Sequence, residues 1–305
     1  MLIETCMRHP LKIWRDPSDR LSPLRIVTLL GLLAPLAKAI YDSEAIRLDP
    51  QPITNLIHRA GDWTLIFLLT ALAVTPLSRI MRFNQLLDVR RMIGVGAFAY
   101  AVAHFNLYIV DLMFVWREIV SEIVHRNRLT LGFAALLGLA ALAATSTNGM
   151  VRRLGSKRWK NLHQAIYLIG VLALIHYFLR FKLIESTPTF ATGLFGWLIG
   201  YRLLIWWRKT RNEPPTWMLL ALTVVITALT FIGEAIALGI QANVSPLRVL
   251  ESSLDFDFDM IRPGWVVLGV GLIVVALDLV RARFVKPRRV ARRAETTLTT
   301  EKRTA

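Results

Sequence analysis

The chain has 305 residues, 54% of them apolar, with a mean hydropathy of +0.48, a formal charge of +16 and one cysteine. The apolar residues fall in continuous runs of helix length, which excludes a soluble domain and the alternating pattern of an outer-membrane barrel. The cations lie between those runs, which argues against nucleic-acid binding, and Cys6 alone supplies neither an internal disulfide nor a zinc or iron–sulfur centre.

Eight stretches predict membrane spans: 24–40, 53–77, 93–115, 128–147, 163–181, 190–207, 216–240 and 264–281. Most hold about 17–25 residues, enough at 1.5 Å per residue to cross a hydrocarbon core about 30 Å thick. The first carries Pro35 and Lys38, and Ala37-Lys38-Ala39 offers a second reading as a signal-peptide cleavage site. Cations sort to alternate loops. Arg79, Arg82, Arg90 and Arg91 follow the second span, and Arg152, Arg153, Lys157, Arg158 and Lys160 follow the fourth. Arg208, Lys209 and Arg211 follow the sixth, and the tail 281–303 is strongly basic. The intervening loops hold acids, among them Asp42, Glu44, Asp49, Glu118, Glu122, Glu185, Asp255, Asp257 and Asp259. This asymmetry predicts an all-α, polytopic transmembrane bundle in the inner membrane, N-in and C-in. No internal repeat is visible. The loops are too short for a flavin or nicotinamide domain, and no G-x-G-x-x-G follows a strand.

Six histidines are present. His9 and His125 fall in loops. His58, one turn before Asp62 near the outer end of the second span, reads as half of a satisfied polar pair. His104, His163 and His176 fall in or at the edge of spans, where an ionisable group is costly and tends to mark function. The bland alternative for each is a neutral imidazole bonded to a neighbouring helix. His104 lies thirteen residues after Arg91, and His176 sixteen after Lys160. Both helices run inside to outside, so the two imidazoles are expected at one depth, past the midplane. Two facing imidazoles in an apolar shell suit the axial positions of a b-type heme. Zinc would want four ligands, and no carboxylate or thiol lies at that level.

His163 precedes His176 by thirteen residues, about 20 Å of helix. An ideal helix turns about 1300° over that length, which leaves the side chains about 140° apart. A bulge, tilt or local tightening is therefore expected between them, or else His163 serves another site. Arg90 and Arg91 face His163 from the third span. Arginine suits a heme propionate, a quinone oxygen or a flavin phosphate, and does not ligate iron. Asn106, Glu234 and Asp278 are further intramembrane polar residues. Glu234 reads either as part of a proton path or as a helix contact.

Three segments carry a likeness to a known family: Arg59-Ala-Gly-Asp-Trp through Thr75-Pro-Leu77, Arg90-Arg-Met-Ile-Gly leading to His104, and Arg158-Trp-Lys-Asn-Leu-His163 with Ala173-Leu-Ile-His176-Tyr. Together, over roughly residues 20–207, they resemble the MsrQ (YedZ) family. Its members are heme-binding membrane subunits of the periplasmic methionine sulfoxide reductase system, within the ferric-reductase-like transmembrane superfamily.

The resemblance implies a six-span ferric-reductase-like core. The expected organisation is a cytoplasmic segment 1–22, a heme-binding core 23–210, two added helices with a periplasmic acidic loop at 211–283, and a disordered basic cytoplasmic tail 284–305. It implies electron transfer from the quinone pool or a cytoplasmic flavin donor, through heme b, to a periplasmic molybdopterin methionine sulfoxide reductase (MsrP-like) that repairs oxidised proteins. The chain would be the electron-transfer subunit of that heterodimer, not the catalytic one. FMN is associated with the family as well. His104, His163 and His176 fall on the family's characteristic histidines. The related NADPH oxidases carry two histidines in the third span where this chain has only His104, so one heme is complete and a second stays open. Two alternatives remain at this stage: a ferric or other metal reductase or quinone-linked b-type cytochrome, and a proton-coupled transporter without cofactor.

Overall fold

The computed structural model describes residues 21–42, 50–180, 186–209, 213–258 and 261–284. Cys6, His9, Glu44, Asp49, Glu185, Asp259, most of the N-terminal segment and nearly all of the basic tail lie outside the described residues. Among the described residues twelve helices follow one another and there is no strand. They are α1 Pro23–Tyr41, α2 Pro52–Ile80, α3 Leu86–Asp111, α4 Trp116–His125, α5 Asn127–Ala144 and α6 Asn148–Leu154. Then come α7 Ser156–His163, α8 Ile166–Phe178, α9 Ser186–Arg208, α10 Thr216–Ala242, α11 Pro246–Leu254 and α12 Pro263–Phe284.

Seven of the eight predicted stretches are long and apolar enough to cross a membrane: α1, α2, α3, α5, the run Ser156–Phe178, α10 and Pro263–Arg283. The chain is a multi-pass membrane protein. The remaining stretch, α9, is 23 residues long but carries several threonines, Arg202 and Arg208. It tolerates that polarity because it packs against α2, α8, α10 and α12, with Ala191, Phe195, Trp197, Leu198 and Tyr201 buried.

Local chemistry sets the helix ends. Proline opens α1, α2 and α11, where its missing N–H costs nothing. Thr147 caps α6 by accepting from the Met150 amide at 3.2 Å. Gly155, at φ 76°, makes the corner between α6 and α7, a conformation that a β-carbon disfavours.

The bundle is built from antiparallel pairs, α2 with α3, α5 with α8, and α10 with α12. The first two pairs close on a shared core of Leu65, Leu68 and Leu72 from α2, Ile93, Ala97 and Ala101 from α3, Leu139 from α5 and Leu174 from α8. On the other flank α1 docks on α3, where the Tyr100 hydroxyl donates to the Leu32 carbonyl at 2.8 Å.

Polar residues inside the bundle act as staples between helices. Pro76 lies within α2 and is fully buried. It has no N–H, so the Leu72 carbonyl one turn earlier loses its helical donor. Arg202 of α9 replaces it, donating from Nη2 to the Leu72 oxygen at 2.7 Å and from Nη1 to the Leu198 oxygen at 2.9 Å. Arg281 of α12 reaches the end of α2, donating to the Ile80 carbonyl at 2.5 Å while it pairs with Asp278 at 2.7 Å. Glu234 of α10 accepts from Arg262, the residue before α12, at 3.3 Å, which makes it a partner in a polar contact at the start of α12.

Candidate functional site

α3 and α8 bring the rings of His104 and His176 together. Their ring centroids are 6.2 Å apart and the ring planes meet at 82°. His104 Nδ1 lies 2.8 Å from the Ile57 carbonyl of α2, and His176 Nδ1 lies 2.8 Å from the Arg128 carbonyl of α5. A carbonyl oxygen only accepts. In each neutral ring Nδ1 therefore carries the proton, and Nε2 keeps the lone pair. That is the tautomer and the outer-shell hydrogen bond of a metal-binding imidazole.

The spacing points the same way. Metal–imidazole bonds are about 2.0–2.1 Å long and a ring centroid lies about 1.1 Å behind its nitrogen, so one metal between two imidazoles holds their centroids about 6.2–6.4 Å apart. The two rings stand at that spacing. Among the described residues no three or more His, Cys, Asp or Glu side chains gather around one point, so a bare ion would lack ligands. A metal that brings its own equatorial nitrogens would not.

Both rings line a cavity of about 420 Å³ between α2, α3, α5 and α8, with α4 at one end. Its middle is apolar, walled by Leu65, Leu68, Phe105, Phe133, Leu136 and Leu139. Its end toward α4 is charged, with Arg126, Arg128, Arg180, Asp111 and Glu122. There the Tyr108 hydroxyl donates to Glu122 at 3.0 Å, and Arg126 pairs with Glu122 at 2.8 Å. Apolar walls, two imidazoles with a free Nε2 lone pair each, and cations at one edge suit a flat iron macrocycle with two carboxylates. The residues present fit that group.

The α4 end also changes the reading of His58. Asp62 accepts from Arg180, just past the end of α8, at 2.9 Å, and His58 lines the cavity with Arg180. Sequence reasoning read His58 as half of a polar pair with Asp62, not as a site residue, and did not consider Arg128 or Arg180. A signal was available for two of the cavity residues, because Tyr108 and Arg180 each lie one turn after a candidate ligand and share its helix face.

His163 lies apart, at the end of α7, and is not among the residues that line the cavity. Its ring stacks on Trp159 at 3.9 Å, with Nδ1 3.1 Å from the Trp159 carbonyl and Nε2 3.4 Å from Ser146 Oγ. Arg91 joins this group. Its guanidinium lies 5.2 Å over the Trp159 ring and donates to Asn148 at 2.8 Å. Arg90 turns instead to Thr75 of α2 at 3.1 Å. The expected tightening is present between His163 and His176. Ala165 N bonds Leu162 O at 3.0 Å and Tyr167 N bonds Gln164 O at 3.1 Å, both across three residues instead of four.

Three comparisons bear on this arrangement. The heme-binding subunit MsrQ of the protein-methionine-sulfoxide reductase of Herminiimonas arsenicoxydans is 39% identical over 201 residues, 64% of this chain and 91% of that protein. The corresponding subunit of Rhodospirillum rubrum is 41% identical over 197 residues, 64% of this chain and 93% of its own. The chain belongs to the MsrQ family. A third MsrQ subunit, from Caulobacter vibrioides, is 38% identical over 187 residues, 61% of this chain and 89% of its own. The family model described as ferric reductase like transmembrane component matches residues 60–174, a stretch that holds His104 and His163 and stops two residues before His176. No solved structure matches. About a third of the chain lies outside what these MsrQ relatives cover.

Proposed function

We propose that this chain is a membrane electron-transfer subunit that holds heme b between His104 and His176 and delivers electrons to a methionine sulfoxide reductase. The observation that carries the reading is the imidazole pair 6.2 Å apart, each ring tied through Nδ1 to a backbone carbonyl. Bound there, heme would supply a one-electron iron centre inside the bilayer. The chain's own groups do the rest. The carbonyls of Ile57 and Arg128 hold the rings in one orientation. The leucine and phenylalanine walls exclude water. Arg126, Arg128 and Arg180 offer cations for the carboxylates of the macrocycle at the α4 end.

The α4 end is the periplasmic one, in an inner-membrane topology with both termini inside, and the partner is a periplasmic molybdopterin reductase. The alternation of basic and acidic loops supports that orientation. Residues 1–22 and 284–305 are cytoplasmic, 23–210 are the heme-binding core, and 211–283 are an added helical pair with an acidic periplasmic loop. Near the cytoplasmic side His163, Trp159 and Arg91, with the adjacent Arg90 of α3, form the entry point. An aromatic face with two cations suits a flavin phosphate or a quinone oxygen, so FMN or quinol is the donor there.

The test is spectroscopic. Protein purified after expression with ample heme shows a Soret band that is lost in His104→Ala and in His176→Ala. A colourless protein refutes the reading. The ferric-reductase-like family match favours one competitor, a metal reductase. Reduced protein that delivers electrons to ferric chelates but not to a molybdopterin methionine sulfoxide reductase would establish that competitor instead.

A further inference from the structure

The two histidines are held by the same device built twice. On α2, Gly61 follows the accepting carbonyl of Ile57 by four residues, and on α5 Gly132 follows that of Arg128 by four. In a helix the amide at i+4 bonds the carbonyl at i, so the glycine stands directly above the oxygen that its neighbour's imidazole uses. The oxygen has a second lone pair for that imidazole, and a side chain at the glycine position would cover it.

A β-carbon at Gly61 would stand 3.1 Å from His104 Nδ1 and 3.2 Å from Cε1. At Gly132 it would stand 2.7 Å from both Nδ1 and Cε1 of His176. Neither glycine has a positive φ, so the backbone does not require glycine at either place. Both lie inside helices, where glycine weakens the helix relative to alanine. What requires glycine is the ring lying against it.

We propose that Gly61 and Gly132 are positioning residues that let each imidazole donate through Nδ1 to the neighbouring helix and present Nε2 to the cavity. α2 with α3, and α5 with α8, are thus two equivalent half-sites, and their relation to each other sets the 82° between the ring planes. The carbonyl bond also strengthens the imidazole as a donor to oxidised iron, so its loss favours the reduced state. The proposal rests on the reading that His104 and His176 hold heme.

The test uses the full-length protein purified with heme. Heme content, the low-spin ferric EPR signal and the reduction potential are measured for wild type, Gly61→Ala and Gly132→Ala. Gly132→Ala, with the closer contact, loses the wild-type EPR signal and shifts the potential upward. Gly61→Ala shifts both in the same direction by less. Two variants that melt earlier but keep the wild-type signal and potential overturn the proposal, because packing alone would give that result. Should Gly132→Ala fail to accumulate, His176→Gly supplies the second arm. Imidazole, which has an N–H for the Arg128 carbonyl, restores the wild-type potential, while 1-methylimidazole gives a higher one. Equal rescue by both ligands also overturns it. A colourless wild type, or His104→Ala and His176→Ala variants that keep the wild-type spectrum, would instead sink the heme reading on which the proposal stands.

Discussion

Replacing Arg202 by methionine removes a guanidinium that does a job created by Pro76. The Leu72 carbonyl is buried in the bundle, and Pro76 deprives it of the amide that would satisfy it. Arg202 donates to it at 2.7 Å, donates to Leu198 at 2.9 Å and lies 5.2 Å over the Tyr167 ring. A buried carbonyl left unpaired costs about 1–3 kcal/mol, and a polar bond between membrane helices contributes on average about 0.6 kcal/mol. These are two measures of the same Arg202–Leu72 contact, so Arg202→Met should destabilise the protein by about 1–3 kcal/mol, read as loss of folded protein during denaturation by sodium dodecyl sulfate in mixed micelles. The sharper test is the double variant. Pro76→Ala returns an amide to that position, so in the Arg202→Met background it should recover about 1–2 kcal/mol, the carbonyl's share. In the wild-type background it should change stability little. Strictly additive effects across this cycle would refute the claim that Arg202 substitutes for the missing amide.

Other outcomes follow from the same geometry. Nearly perpendicular imidazole planes should give a highly anisotropic low-spin ferric EPR signal, and a rhombic signal typical of parallel planes would contradict the 82° arrangement. Arg91→Ala, which removes the cation over Trp159, should slow reduction from the cytoplasmic side and leave the main heme spectrum in place, and Arg90→Ala should do so less. Unchanged stopped-flow reduction kinetics in both would remove these residues from the entry point. Arg281→Met leaves the Ile80 carbonyl and Asp278 without their shared partner, and should cost about 1–3 kcal/mol in the same denaturation assay while the Soret band stays unchanged. A shifted Soret band would mean that α12 reaches further into the heme bundle than its contacts with α2 and α9 suggest.

Residues with only local consequences were legible. The span at 163–181 shows how far that goes. Helical geometry alone required either a local irregularity between His163 and His176 or a separate role for His163; the chain tightens around Gln164 and Ala165, and His163 lies outside the cavity that His176 lines. Where rotation about the helix axis or the identity of a neighbour mattered, the sequence misled or was silent. His58 and Asp62 are spaced to pair on α2, yet Asp62 takes Arg180, 118 residues away, because α8 brings a guanidinium to it. Glu234 read equally well as a proton carrier until the chain leading into α12 brought up Arg262.

The sequence by itself determined the membrane class and the common depth of His104 and His176, because apolar length and axial rise depend only on residues near in the chain. The tertiary structure decided which carbonyls orient the two rings, why glycine stands opposite each of them, and which arginine satisfies the carbonyl that Pro76 leaves bare. Those pairings join helices about 50 to 130 residues apart, and they exist only once the helices have packed at a particular rotation.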